Sequence, residues 1–155
     1  MFTSLSEIQN ALKTNNTTCV DLVNYYLKNI TEKKHLNAFL EVFDNEALER
    51  AKEIDQKIKS NTAGKLAGLV IGIKDTIVYK DHKVSASSKI LENFESIYSA
   101  TVVERLLDED AIIIGRQNCD EFAMGASNEN SAFGNVLNEA DNSTVPGGSS
   151  GGSAV

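Results

Sequence analysis

The stretch VPGGSSGGSAV, residues 145–155, holds four glycines, three serines and the only proline of this 155-residue sequence. Glycine permits a positive φ and a close approach of the backbone, so such a run can turn its amide groups towards an anionic or polarised oxygen. Serine hydroxyls in that setting can act as nucleophile, proton relay or hydrogen-bond donor. The same composition is also typical of a flexible linker. Only the rest of the sequence can show whether this run is a flexible linker or part of a binding or catalytic site.

Length, composition and charge narrow the class of protein. The 155 residues are 41% hydrophobic with a net charge of −7, which suits one globular domain and argues against a basic surface for nucleic-acid phosphates. Cys19 and Cys119 lie far apart without a C-x-x-C pattern, so we expect free, buried thiols. The first residues show no secretory signal, and no apolar run approaches the ~20 residues of a membrane span. We therefore expect a soluble protein of the cytoplasm.

Residues 1–62 are predicted to form a lead-in of amphipathic helices. Ser4 with Glu7 has the spacing of a capping box, and Thr18 can cap a second helix. Apolar residues recur at helical intervals behind both caps, and a third helix is expected from about residue 45 to residue 59.

Residues 63–155 carry the pattern of an α/β fold. The run 69–73 is apolar, rich in β-branched residues and bounded by glycine, which predicts a buried strand. Thr101 with Glu104 predicts a capping box at the start of a helix, and 111–115 is the second clear strand. A strand, a helix and a strand in that order predict a parallel pair. No second domain boundary is visible, so the whole chain is expected to belong to a single domain.

Lys74 is a candidate base. It directly follows the apolar strand, where burial would disfavour the ammonium form and make the amine usable for proton transfer. A lysine at a strand end can equally extend to solvent or pair with the adjacent Asp75. The two histidines, His35 and His82, fall in predicted loops, are expected to be solvated and show no metal-ligand spacing. Lysine is therefore a better candidate for the base than histidine.

The segment 116–127 follows the second strand, where open α/β sheets place their ligands. Asp120 can cap a short helix that runs to Met124 and ends at Gly125. Asp120 and Glu121 are adjacent and would not face a common point on a helix, so we do not predict an acid–base pair.

Five segments together resemble the amidase signature family. They are GIKD at 72–75, SSKIL at 87–91, ATVVERL at 100–106, NCDEFAMGASNENSAFG at 118–134 and VPGGSSGGSA at 145–154. The match runs through residues 64–155 and continues more weakly into the N-terminal helices. The resemblance implies the N-terminal part of an α/β/α fold with a mixed sheet, preceded by amphipathic helices. It favours a site over a linker for the glycine run.

The resemblance also implies roles for particular residues. The family hydrolyses amides with a Ser–Ser–Lys triad, in which Lys74 matches the base and Ser149 matches the bridging serine that precedes an unusual cis peptide bond. Met124, Gly125 and Ser127 are the predicted substrate contacts. The nucleophilic serine belongs to a later glycine–serine motif outside residues 1–155, so this stretch alone is expected to be inactive.

The DEFAMG and SAFG segments resemble in particular the family's glutamine-hydrolysing A subunits of amidotransferases that act on tRNA(Gln). The resemblance implies that ammonia released from glutamine converts Glu-tRNA(Gln) to Gln-tRNA(Gln). The B and C subunits would complete a heterotrimer, and the B subunit would use ATP and Mg²⁺. This chain has no G-x-x-x-x-G-K-[ST] motif and is expected to hold no cofactor and no metal.

Two other interpretations stay open. The chain could belong to a stand-alone amidase of the same family that acts on a small amide, or it could be a non-catalytic interaction module. Association with the B and C subunits would distinguish the first of these from the amidotransferase.

Overall fold

The computed structural model describes residues 2–155 and shows a three-stranded mixed sheet. The strands are β1 (Phe39–Val42), β2 (Val70–Lys74) and β3 (Ile112–Gln117), arranged in the order β1-β3-β2. β3 pairs with β2 in parallel and with β1 in the antiparallel direction. The predicted α/β class, the mixed sheet and the parallel pair are confirmed.

Three helices precede or interrupt these strands, as predicted: α1 (Leu5–Lys13), α2 (Cys19–Glu32) and α3 (Asp44–Lys59). The Ser4 hydroxyl caps α1 by accepting from the Glu7 amide. Thr18 caps α2 in a complete capping box, because the Asp21 carboxylate also accepts from the Thr18 amide. Local sequence therefore decides where α1 and α2 begin, whereas no side chain caps α3.

The middle strand carries a hydrophobic core on each face of the sheet. Ile112 and Ile114 of β3 pack into the core built with α1, α2 and α3. The intervening Ile113 points to the opposite face and packs with Val103 of the helix α4 (Thr101–Asp108). Successive strand residues face opposite sides of a sheet, so one strand joins both helical layers. The helical residues of the larger core are Ile8, Leu12, Cys19, Leu22, Val23, Ala47, Ala51 and Ile54.

Several elements differ from the sequence-based expectation. β1 lies inside residues 1–62, so the helical lead-in also supplies a strand to the sheet. The capping box predicted at Thr101 and Glu104 is wrong, because α4 begins with Ala100 at its cap and no side chain caps it. The glycine run ends in a one-turn helix, α5 (Gly151–Ala154), that was not predicted. Three single turns of 3₁₀-helix complete the secondary structure: Lys34–Leu36, Lys89–Leu91 and Glu121–Ala123.

His82 is also not solvated as predicted, since only 13% of its side chain is exposed. Its ring stacks on Tyr79 with 4.0 Å between centroids and meets Phe43 edge-on at 4.4 Å. Its Nε2 atom lies 2.9 Å from the Glu46 carboxylate. The ring therefore joins the loop after β2 to the start of α3. His35, in contrast, is exposed.

None of the helices among residues 2–155 has the length and apolar character that crossing a bilayer requires.

Candidate active site

The structure brings Lys74 and Ser149 together, although 75 residues separate them in the sequence. Lys74 is the last residue of β2, and Ser149 precedes the short helix α5. Nζ of Lys74 donates a hydrogen bond to Oγ of Ser149 over 2.6 Å. The side chains lie at the carboxyl end of a parallel pair of strands, the edge at which open α/β sheets place their ligands. A lysine and a serine in direct hydrogen-bond contact have the geometry that proton transfer between them requires.

A buried ion pair holds the chain directly after Lys74. Nη1 of Arg116, in β3, donates to Oδ1 of Asp75 over 2.6 Å, and both side chains are almost wholly enclosed. The alternative in which Asp75 pairs with Lys74 is therefore wrong, because Arg116 occupies that carboxylate. Lys74 is left with its amine directed at Ser149.

The Asp75 carboxylate also organises the loop that follows β2. It accepts from the amides of Ser85 and Ser87 over 2.9 and 2.6 Å, and from the hydroxyl of Ser85. Arg116 in turn reaches Glu41 of β1 over 3.3 Å. This network ties the ends of all three strands to one buried carboxylate. Sequence patterns missed it, because its members are far apart along the chain.

Two backbone hydrogen bonds fix the glycine run that carries Ser149. The Asp120 amide donates to the Ser149 carbonyl over 2.9 Å, and the Gly152 amide donates to the Asn118 carbonyl over 3.1 Å. A Cβ atom at Gly152 would lie 2.4 Å from the Ala38 carbonyl oxygen, so only glycine fits this close approach. The run is therefore an ordered part of the fold and not a linker.

The Gly148–Ser149 peptide bond is cis. Ser149 thus follows the cis bond and does not precede it, contrary to the expectation. Of the other serines in the run, Ser153 donates its hydroxyl to the Gln117 side chain over 2.8 Å, and Ser150 occupies the position before α5.

The three predicted substrate contacts lie in different surroundings. Met124 is 78% exposed. Gly125 packs against the Asp120 carboxylate, and the Ser127 amide packs against Gly148, the neighbour of Ser149. The structure thus places Gly125 and Ser127 beside the Ser149 segment, and their contact with a substrate stays a prediction.

The prediction that Asp120 caps a helix is wrong, because its side chain makes no capping hydrogen bond. The turn after it is a single 3₁₀ turn, Glu121–Ala123, and its middle residue Phe122 has a positive φ of 51°. The carboxylate instead accepts hydrogen bonds from the amides of Asn128 and Asn130. Two asparagines of the following loop therefore supply its partners.

Both cysteines are free and fully buried, as predicted. Burial raises the pKa of the Cys119 thiol, and a 3.3 Å contact with the Ser87 hydroxyl offsets this only in part. Burial, with the nearby charge of Asp55, also raises the pKa of Cys19. Neither thiol is therefore an activated nucleophile. Within residues 2–155, no group of three or more His, Cys, Asp or Glu side chains is placed to hold a metal ion.

Comparison with known proteins shows which family this sequence matches. The sequence profile of the family described as Amidase matches residues 21–155. The A subunit of the glutamyl-tRNA(Gln) amidotransferase of Pelodictyon phaeoclathratiforme is 49% identical over 155 residues, which are 99% of this chain and 33% of that protein. The chain thus spans about a third of the length of the curated relatives it matches.

Two solved structures share the fold. The peptide amidase of Stenotrophomonas maltophilia superposes with a TM-score of 0.90 at 30% identity, over 99% of this chain and 33% of that one. The A subunit of the glutamyl-tRNA(Gln) amidotransferase of Thermotoga maritima gives 0.68 at 33% identity, over 86% of this chain and 29% of that one. Sequence, fold and the paired lysine and serine agree, and the chain belongs to the amidase signature family.

Proposed function

We propose that this chain is part of the glutamine-hydrolysing subunit of a glutamyl-tRNA(Gln) amidotransferase. The observation that carries the proposal is the 2.6 Å contact between Nζ of Lys74 and Oγ of Ser149. The identity of about 50% to A subunits along almost the whole chain supports the choice of reaction. The subunit that carries this chain at the length of its relatives is called the full-length subunit below.

In the proposed reaction, Lys74 is the base and Ser149 the relay. With Lys74 neutral, the Ser149 hydroxyl donates to the lone pair of Nζ, and Oγ can then take a proton from a second serine of the full-length subunit. That serine attacks the side-chain carbonyl of glutamine, and the proton returns to the leaving nitrogen as ammonia departs. Water then releases glutamate from the acyl-serine. The sum is glutamine plus water giving glutamate plus ammonia.

The proposed complex divides its chemistry among its three chains. Ammonia passes to the B subunit, which uses ATP and Mg²⁺ to activate the glutamate of Glu-tRNA(Gln), and the C subunit helps to hold the assembly together. The net charge of −7 suits a chain that leaves the nucleic acid to its partner. We place the complex in the cytoplasm, where tRNA is charged.

A second candidate is a stand-alone amidase that acts on a small amide. The observation in its favour is the TM-score of 0.90 to a peptide amidase, against 0.68 to the amidotransferase structure. Purification of the full-length subunit together with the B and C subunits separates the two, because a stand-alone amidase would associate with neither.

The proposed function is tested by replacing the base. Lys74→Ala in the full-length subunit of the assembled complex should abolish hydrolysis of glutamine, because no other group takes the proton from Ser149. Formation of Gln-tRNA(Gln) from added ammonia should continue, because it does not need that step. Both rates are measured in the same preparation.

Lys65→Ala is the matched control, since Lys65 is an exposed lysine whose only ion-pair partner among the described residues is Glu109. It should leave both rates unchanged. Retained glutamine hydrolysis in Lys74→Ala would contradict the proposal. Loss of the ammonia-dependent reaction as well would contradict a role of Lys74 confined to glutamine hydrolysis.

A further inference from the structure

Asp120 is a fully buried carboxylate without a cationic partner within residues 2–155. Ionised carboxylates are rarely enclosed unless a cation or several hydrogen bonds compensate for lost hydration. Asp120 has only the second kind of compensation. Oδ2 accepts from the Asn128 amide over 3.0 Å, and Oδ1 accepts from the Asn130 amide over 3.2 Å.

These two hydrogen bonds wrap the loop 125–130 around the carboxylate. The Asn130 side chain adds a longer contact of 3.4 Å to Oδ1. A Cβ atom at Gly125 would lie 2.3 Å from Cγ of Asp120, so the loop backbone touches the carboxylate directly. The side chain of Asp120 thus shapes a loop that follows it in the sequence.

The same residue holds the segment that carries Ser149. Its amide donates to the Ser149 carbonyl over 2.9 Å. A Cβ atom at Gly148 would lie 2.4 Å from Oδ2 of Asp120 and 2.7 Å from the Ser127 amide nitrogen. Asp120 and the loop that it shapes therefore form the surface on which Gly148 and Ser149 rest.

A second contact joins the loop to the same segment. The Asn128 side chain is fully buried against α5: a Cβ atom at Gly151 would lie 2.4 Å from Oδ1 of Asn128. The loop thus packs on both sides of Ser149, at Gly148 and at Gly151. Neither contact is made by the catalytic side chains themselves.

We propose that Asp120 is the positioning residue for Ser149: its carboxylate fixes the loop 125–130 and its amide fixes the Ser149 carbonyl, so that Oγ stays within reach of Lys74. The effect of Asp120 on catalysis in this inference rests on the proposed function. Asp120 makes no hydrogen bond or ion pair with Lys74, whose Nζ contacts Ser149, and it acts on the Ser149 segment through the backbone. Two oxygens that only accept are required, because both of its backbone partners are N–H donors.

The test replaces one carboxylate oxygen by an NH₂ group. In Asp120→Asn, the amide nitrogen must face the N–H of Asn128 or of Asn130, so one of these hydrogen bonds is lost and the loop shifts. In the full-length subunit, kcat for glutamine hydrolysis should fall about 100-fold, the scale that a displacement of about 1 Å produces. The diagnostic quantity is kcat, because the shifted loop also carries the predicted substrate contacts Gly125 and Ser127 and its movement would change KM as well.

Asp110→Asn is the matched control, since Asp110 is an equally buried aspartate that bonds to Lys57 and Arg50. It should destabilise the protein and leave kcat within about twofold. An equal fall of kcat in both variants, or an unchanged kcat in Asp120→Asn, would overturn the positioning role.

A second measurement does not depend on activity. Amide hydrogen exchange in the 155-residue chain compares the Gly152 amide, which is held beside Ser149, with the Ile54 amide in α3. Asp120→Asn should raise the ratio of these two rates about tenfold or more, whereas Asp110→Asn should not. An unchanged ratio in Asp120→Asn would overturn the inference, whether or not the enzyme is active. If the ratio rises in Asp120→Asn but the wild-type enzyme does not hydrolyse glutamine, the result counts against the proposed function alone.

Gly148→Ala tests the same surface without changing Asp120, should Asp120→Asn fail to fold. The added methyl group would meet Oδ2 of Asp120 and displace Ser149. The kcat loss and the raised exchange ratio should both reappear. Wild-type values of both would contradict the proposal.

Discussion

Three aspartates, Asp75, Asp110 and Asp120, are buried, and their carboxylates are compensated for the loss of hydration in different ways. Asp120 is held by backbone amides without a cation. Asp75 combines the Arg116 guanidinium with the amides of Ser85 and Ser87. Asp110 likewise has Lys57 and Arg50 on Oδ1 and the Gly64 amide on Oδ2 over 2.8 Å. Asp75 and Asp120 lie beside the candidate site of Lys74 and Ser149, whereas Asp110 joins α3 to the end of α4.

Replacement of Asp110 should reveal a stabilising ion pair. Burial alone would raise the pKa of Asp110, but the hydrogen bonds from Lys57 and the Gly64 amide and the nearby charges hold it below its usual value. Asp110→Asn should lower the free energy of unfolding by about 2 kcal/mol at neutral pH. Urea unfolding measures this difference.

The pH dependence of that difference has a definite sign. Because the pKa is lower in the folded state, the contribution is complete above the unfolded value of about 3.9 and is lost as the pH falls through the folded value. The two proteins should therefore converge in strong acid. The exposed Asp108→Asn is the control and should change stability by less than about 0.5 kcal/mol. A difference that widened on acidification would contradict the assignment.

The cysteines give a second prediction at this scale. Since Cys19 and Cys119 are buried and have raised pKa values, neither should react with a thiol reagent in the native chain at neutral pH. Both should react in denaturant. Mass spectrometry counts the labels, and rapid labelling of either thiol in the native chain would show that its core opens.

The sequence predicted the surroundings of some of these residues and not of others. Lys74 and Ser149 lie in motifs with a recognisable family pattern, and this pattern is why their meeting was foreseen. Arg116 and Asp120 were not assigned their partners, because each bonds to groups that only the fold brings close. His82 was predicted to be solvated, since nothing local shows that Tyr79 and Phe43 enclose it.

At the scale of elements, the first helices are fixed by local chemistry and joined by tertiary contacts. The Thr18 hydroxyl accepts from the Asp21 amide over 3.0 Å at the start of α2. Asp55 of α3 accepts from the Cys19 amide over 2.7 Å. One helix therefore supplies a second cap to its neighbour, in accordance with the preference for negative charge at a helix N-terminus.

Removal of the local cap should be measurable. Thr18→Ala should lower the free energy of unfolding by about 1 kcal/mol, because an amide of the first turn loses its acceptor. The neighbouring Thr17→Ala is the control, since Thr17 caps no helix, and it should stay within about 0.5 kcal/mol of wild type. Equal losses in chemical denaturation would show that the Thr18 hydroxyl does not cap the helix.

Elements with a strong local signal were predictable, and those decided by pairing were not. The long helices and the apolar strands β2 and β3 carry clear periodicity. β1 has four residues and partial burial throughout, so its hydrogen bonds to β3 define it more than its composition does. The single turn of α5 forms where Gly152 bonds to Asn118, in a sequence that locally favours a loop.

At the scale of the whole molecule, the sheet has two open edges. β1 and β2 each have one neighbouring strand. An apolar groove of about 800 Å³ runs beside β1 and is lined by side chains that include Tyr25, Tyr26, Ile30 and Phe39. Apolar side chains are also exposed after β2, at Ile90, Phe94, Ile97 and Tyr98.

We therefore expect the 155-residue chain to associate with itself as its concentration rises, because open sheet edges and apolar surface promote contact. Light scattering coupled to size-exclusion chromatography would show the increase in mass. Replacement of both Ile90 and Ile97 by serine should weaken association if the exposed loop contributes. A monodisperse monomer at every accessible concentration would contradict this expectation.

The central claim is that Ser149 relays a proton between Lys74 and the nucleophile. The most direct measurement is the rate of glutamine hydrolysis by Ser149→Ala in the full-length subunit, with Ser153→Ala as control because that hydroxyl bonds to Gln117 instead. The account predicts a fall of about 10²–10⁴-fold for Ser149→Ala and an almost unchanged rate for Ser153→Ala. Near-normal turnover by Ser149→Ala would contradict it.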